Sequence, residues 1–368
     1  MQLIYLSPVP WASFRQRPHE FAEWFHRRFD ARVLWVEPYP VRLPRWSDRS
    51  RLTAPAMPRV EIPQWLEVCS PRALPLEPFA AGRALNRRLF WPASLDRMDA
   101  FAKRDAATVV AIGKPSDLAL CALQRTPGRM SIYDAMDDFA AFHSGAARAA
   151  CTAIERQIVD RVTHRTTSSS LLAERMRARG LTVHLAANGL APARMPEPLP
   201  AGARRGFGYI GTIASWFDWR WVGELATGWP DRTIEIVGPV HLAPPSSLPA
   251  NVVLRPSLPH EQALESMRGF AAGLIPFRQN ELTASVDPVK YYEYRALGIP
   301  VISTPFGEMA ARRGDSRVLL TEHPGQAREQ IAALLAAVDT AESTAQFRQR
   351  HDWAARFEPL AALLEARS

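Results

Sequence analysis

Twelve short hydrophobic runs, spaced by segments of helical periodicity, constrain this 368-residue chain more than any other feature. Six lie in the first half: QLIYLSP (2–8), RVLWVEP (32–38), TVVAIGK (108–114), SIYDAMD (131–137), THRTTSS (163–169) and TVHLAAN (182–188). A Pro- and Gly-rich stretch, APARMPEPLPAGARRG (191–206), interrupts the rhythm. It restarts with GFGYIGT (206–212), RTIEIVGP (232–239), NVVLRP (251–256), AAGLIPF (271–277), PVIST (300–304) and RVLLTE (317–322). Apolar runs of this length, ended by Gly, Pro, Asn or Ser and alternating with helices, read as strands of parallel sheets. Two such series predict an α/β protein with two Rossmann-like domains facing a central cleft. The expected boundaries are 1–195 and 205–350, with 351–368 as a terminal helical segment. In that segment, from about 352 to 366, Trp353, Phe357, Leu360, Leu363 and Leu364 recur at helical spacing and need a docking face.

A content of 47% hydrophobic and 22% charged residues suits a folded, soluble protein of this size. No apolar run approaches the ~18–20 residues of a membrane span. The N-terminal MQLIYLSPVPW reads as a first buried strand rather than a signal peptide. Cys69, Cys121 and Cys151 lack metal-binding spacing and fit buried thiols of a reducing, cytoplasmic compartment. The nine histidines form no HxxxH or HxH pair, so no metal is expected. Of the net charge of +8, residues 1–200 carry +9 and residues 201–368 carry −1. A basic first half suits an anionic partner, such as an acidic glycan, a lipid pyrophosphate or a membrane surface. An Arg-rich composition accounts for the excess equally well. Nucleic acid is not expected, since no helix-turn-helix, zinc or RNA-binding signature is present. Residues 40–100 break the strand rhythm and interleave Trp46, Trp65, Phe79, Phe90 and Trp91 with arginines. They read either as a surface at lipid headgroups or as an irregular subdomain core.

The stretch SVDPVKYYEYRALGIPVIST (285–304) predicts a turn, a short helix, a glycine stop and a buried strand. Lys290 and Glu293 are three residues apart and share a helical face near the helix start, where the dipole favours an anion. Lys290 is suited to a phosphate, and Glu293, an acceptor when ionised, to two ribose hydroxyls. An ordinary surface ion pair is the competing reading. SIYDAMDDFAAF (131–142) puts Asp134, Asp137 and Asp138 at a strand's carboxyl end, where open α/β sheets bind ligands. Buried together they raise one another's pKa, as a general base requires; as a helix cap they do not. In GFGYIGT, Gly208 and Gly211 would let backbone amides approach a diphosphate.

The 285–304 stretch resembles the nucleotide-sugar signature of GT-B glycosyltransferases of the family 4 type. Its form PVKYYEY…GIPVIST is similar to a subgroup of bacterial exopolysaccharide and teichuronic-acid-type transferases, as are YDAMDD, RQRPHEFA and IPFRQNELT. The resemblance implies a GT-B fold whose last helix crosses back to the N-terminal domain. It implies donor binding through Gly211, Thr212, Gly238, Arg278, Glu281, Ser285, Lys290, Tyr291 and Glu293. Glu293 matches the second glutamate of the family's pair. Ser285 stands where the first would be, a departure that bears on the sugar contact and on retention of stereochemistry. In the first domain the resemblance points to Asp137 or Asp138 as base of an inverting reaction, with Arg17 and His19 on the acceptor or sugar side. The implied activity is cofactor- and metal-independent transfer from a nucleotide-diphosphate sugar to a growing, lipid-linked surface or exopolysaccharide. Peripheral contact with the inner membrane would run through the basic N-terminal half. A non-hydrolysing sugar-nucleotide epimerase and a non-catalytic glycan-binding protein are the alternatives on this fold.

Overall fold

The hydrophobic runs assemble into two separate, wholly parallel sheets in a computed structural model that describes residues 1–43 and 60–365. Trp46 and the expected helix end at Ala366 lie outside the described residues. The first sheet contains β1 (Gln2–Leu6), β2 (Arg32–Val36), β3 (Leu66–Cys69), β4 (Thr108–Ile112), β5 (Met130–Ala135), β6 (His164–Thr167) and β7 (His184–Leu185). Its order is β3-β2-β1-β4-β5-β6-β7. The second contains β8 (Arg205–Ile210), β9 (Ile234–Val237), β10 (Val252–Arg255), β11 (Phe270–Ile275), β12 (Val301–Ser303) and β13 (Val318–Leu320), in the order β10-β9-β8-β11-β12-β13. All residues of β1 and β4 are buried, as strands covered by helices on both faces must be. In each sheet the order reverses beside the first strand, between β1 and β4 and between β8 and β11. That reversal opens a crevice at the strands' carboxyl ends.

The chain divides into two units, Met1–Ala186 with Phe357–Ser368, and Ala187–Arg356. Each of the twelve hydrophobic runs supplies a strand. The thirteenth strand, β3, falls in the 40–100 region read as irregular. It has four residues, buries only Leu66 and Cys69, and pairs with β2 alone, so it carries too little pattern to be seen. The same region also folds into helices, among them Pro92–Ala102, and Trp91 is fully buried against Leu95 and Met98.

Within the first unit, the helix Arg17–Phe29 and the returning end of the helix Trp353–Glu365 pack together. Phe357 lies 5.2 Å from Phe21 and 5.6 Å from Trp24, ring to ring. Phe357 and Leu364 are wholly buried, which contributes about 1.5–3 kcal/mol each. The half-exposed pairs of Arg28 with Glu358 and Glu365 add little beside that. Among the described residues, no helix is long and apolar enough to cross a membrane.

Candidate functional site

In the second unit, the carboxyl ends of β8 and β9 touch through glycine. Gly211 and Gly238 have φ of +149° and +144°, and a Cβ on Gly238 would stand 2.1 Å from the Gly211 carbonyl oxygen. A Cβ on Gly211 would meet Lys290 Cε at 2.4 Å and Nζ at 2.6 Å. Both positions therefore require glycine, and Gly211 is where the Lys290 ammonium rests. Gly208 differs. A Cβ there would strike the Phe270 ring, so this glycine serves packing between β8 and β11 rather than a phosphate.

Lys290 is held over two aromatic faces, 5.3 Å from the Tyr209 ring centre and 5.9 Å from that of Phe277. Burial pulls its pKa below the ordinary lysine value, and the Glu293 charge only partly offsets that. Lys290 and Glu293 are half-buried, and neither has a hydrogen-bond or ion-pair partner among the described residues. A desolvated cation and a carboxylate with no hydrogen-bond partner can each take polar ligand groups. Tyr209 and Phe277 carry no signal in sequence that separates them from core aromatics.

The helix bearing this pair, Val289–Ala296, is fixed at its start by Asp287. The buried Asp287 carboxylate accepts from the Asn188 backbone at 2.7 Å and the Tyr292 hydroxyl at 2.9 Å, and pairs with Arg312. Tyr291, expected at the donor, instead faces the body of the unit. Its hydroxyl donates to Asp315 at 3.0 Å, and the Arg312 guanidinium stacks 3.8 Å above its ring. The loops after β8 and β11 are tied together by Asp218 N–H to Pro276 O and Arg278 N–H to Trp216 O. This places Thr212, half-buried, and Arg278, exposed, on adjoining loops at the strand ends. Glu281 is exposed on the second loop. Ser285 is wholly buried just before the helix, and its hydroxyl lacks a partner among the described residues.

In the first unit, the three aspartates after β5 separate into three roles. Asp134 is 0% exposed and forms a two-pronged ion pair with the buried Arg17, at 2.7 and 2.9 Å, while Thr166 donates to it at 2.6 Å. Asp138 caps the turn Phe139–Phe142 through the Ala141 amide and pairs with Arg175. Asp137 has neither kind of partner among the described residues. Burial, together with the Asp138 and Asp134 charges and against the pull of Arg17, raises its pKa from 3.8 to about 7. A half-buried carboxylate that titrates near neutrality is suited to accept a proton.

Arg17 and His19, expected on the acceptor side, are each 1% exposed. Arg17 also donates to the Ala186 carbonyl at 2.6 Å. His19 sits between Trp11 and Trp35; its Nδ1 accepts from the Gln16 amide and its Nε2 meets the Trp11 carbonyl at 3.2 Å. Burial lowers its pKa to about 4, so the ring is neutral. Both side chains are taken up by contacts within the first unit, Arg17 by Asp134 and the Ala186 carbonyl and His19 by Gln16 and Trp11.

No family model matches the sequence. The chain is 29% identical over 198 residues to TuaH of Bacillus subtilis (strain 168), a protein assigned by name to teichuronic acid biosynthesis as a glycosyltransferase. The match covers 47% of this chain and 50% of TuaH, so it spans about half of either protein. Among solved structures, the sucrose-phosphate synthase of Thermosynechococcus elongatus superposes with a TM-score of 0.69 at 15% identity, covering 100% of both chains. HepE of Anabaena, solved with UDP and glucose, gives 0.64 at 12% identity, again over 100% of both. The lipopolysaccharide outer core galactosyltransferase WaaB in its apo form gives 0.62 at 12% identity and the same coverage. At these identities the likeness is one of fold, and that fold is GT-B.

Proposed function

We propose that this chain is a glycosyltransferase that moves a sugar from a nucleotide diphosphate to a glycan acceptor. One observation carries the reading: at the strand reversal of the second sheet, an unpaired lysine lies on a glycine backbone beside an unpaired carboxylate. Lys290 meets the diphosphate, with the start of its helix adding favourable field. Glu293 accepts from the ribose hydroxyls. The TuaH likeness and the UDP-bound state of HepE support a nucleotide-sugar donor and a cell-surface glycan product. Asp137 takes the proton of the attacking acceptor hydroxyl, which implies inversion at the anomeric carbon. As the diphosphate departs, the fixed Lys290 charge meets the charge that develops on it, so no metal is required. Turnover in excess chelator is expected to match turnover in magnesium, and full loss restored by magnesium or manganese would remove this part of the reading.

The finer assignment is a lipid-linked acceptor at the cytoplasmic face of the inner membrane. The segment Phe79–Leu89 supports it, since Phe79, Leu85 and Leu89 are exposed beside the exposed Arg88, while Arg87 is paired with Asp117.

A thermal-shift panel of UDP-, GDP-, ADP- and TDP-sugars tests the donor reading, because a ligand of the native state raises the melting temperature by mass action. One of the four is expected to do so. Glu293→Gln is expected to weaken that donor by about 1.5–3 kcal/mol without unfolding the protein, as measured by calorimetry. Unchanged affinity would remove Glu293 from the site.

A further inference from the structure

The chain has three lysines against 42 arginines. Lys103 is exposed. Lys290 stands at the strand ends of the second sheet, and Lys114 occupies the corresponding place in the first, two residues beyond β4. Lys114 lines a small cavity with Ser7, Glu37, Tyr39 and Ser116, at the carboxyl ends of β1, β2 and β4. This is the crevice where the first sheet reverses its order, a usual ligand position in open α/β sheets.

The other polar side chains of the cavity each have a hydrogen-bond partner. Ser7 Oγ donates to Val9 O at 2.7 Å, and Ser116 Oγ accepts from the Ala119 amide at 3.2 Å. Tyr39 donates to Glu77 at 2.7 Å, and one oxygen of Glu37 accepts from the Trp11 amide at 3.0 Å. Glu77, the carboxylate whose charge acts on Lys114, spends its second oxygen on the Asp117 amide at 2.9 Å. Lys114 itself is half-buried and has no hydrogen-bond or ion-pair partner among the described residues. The Glu77 charge only partly offsets the burial of this amine, and an anionic ligand oxygen in direct contact would favour its charged form further. The free space is about 20 Å³, which admits a water-sized group but not a sugar ring.

β4 and β5 are neighbouring strands, Ile112 beside Tyr133, so Lys114 and Asp137 both follow the carboxyl ends of adjacent strands, with Asp137 two residues further on. We propose that Lys114 receives a carboxylate or phosphate oxygen of the acceptor, whose ring stays at the cavity mouth, so that the acceptor is an acidic sugar or a glycosyl phosphate. This rests on the transferase reading for the word acceptor, but not for the anion site itself.

The test measures binding of methyl glucuronide, glucose 1-phosphate and the neutral methyl glucoside to the full chain by ligand-observed NMR. UDP, GDP, ADP and TDP are titrated in parallel. At least one anionic probe is expected to bind about tenfold or more above the glucoside. Which of the two does so separates a uronate from a phosphate acceptor. In Lys114→Met that advantage disappears while nucleotide affinity stays unchanged. Equal binding of all three probes to the wild type overturns the proposal without any variant, as does an anionic advantage that survives Lys114→Met. If Lys114→Met does not fold, Lys114→Gln takes its place under the same criteria. Nucleotide binding without anion preference sinks this inference alone; anion preference without nucleotide binding sinks the donor reading alone.

Discussion

Asp137→Asn is expected to lower turnover by about 10²–10⁴-fold while leaving nucleotide affinity unchanged. The reason is the separation of three neighbouring carboxylates. Asp134 is consumed by Arg17 and Thr166, and Asp138 by Arg175 and the Ala141 amide, which leaves Asp137 as the group able to take a proton. With a pKa of about 7, it is active when ionised. Acceptor-dependent kcat/KM should therefore rise with pH through about 7 and then level off, and the variant should lose that limb. Stability moves the other way. The folded pKa lies above the ordinary 3.8, so between pH ~4 and ~7 the native state holds the extra proton and stability falls as pH rises. Removing the charge in Asp137→Asn should thus raise the melting temperature at pH ~8. Asp138→Asn, which can keep the cap but loses the ion pair with Arg175, should lower it. Wild-type transfer by Asp137→Asn would place the base elsewhere, or make the reaction a retaining one that needs none.

Lys290→Met is expected to cost about 10²–10³-fold in kcat and to weaken nucleotide-diphosphate binding as well. A fixed, desolvated cation meets charge on the leaving group without reorganising, and no ion pair within the described residues competes for it. Lys290→Arg should not rescue. A Cβ on Gly211 would already stand 2.4 Å from the lysine Cε, so a longer guanidinium has no room against that backbone. Measuring kcat and diphosphate affinity for both variants decides the matter. Wild-type kinetics in Lys290→Met would show that backbone amides and another cation suffice.

Much of the fold was legible because a buried strand between helices leaves a short, hard-edged apolar run, and twelve of these stand clear of their surroundings. β3 did not, since an edge strand of four residues has half its side chains facing out. The candidate site was legible in part. Lys290 and Glu293 announce themselves by spacing and by the helix start they share. Tyr291 lies next to Lys290 in the chain yet about a hundred degrees around the helix, and only the location of Asp315 and Arg312 decides which way it faces. Asp137 and Asp138 cannot be told apart in sequence, because the residue that claims Asp138 is Arg175, 37 positions away. Lys114 belongs to no motif, and its rarity among arginines was the one clue available.

The division of the chain sets an order of events during synthesis. The second unit is continuous, from Ala187 to Arg356, and every strand of its sheet has been made before Phe357 leaves the ribosome. The first unit is interrupted. Its sheet is complete by Leu185, but Phe357, which lies on Phe21 and Trp24 and 5.2 Å from the Arg17 guanidinium, arrives only after the whole of the second unit. Until then an apolar face of the helix Arg17–Phe29 stands open to water or to a chaperone. Domains that emerge whole fold as units. The later-made half is therefore free to finish first, and the half that carries Asp137 closes only when Phe357 comes back to it.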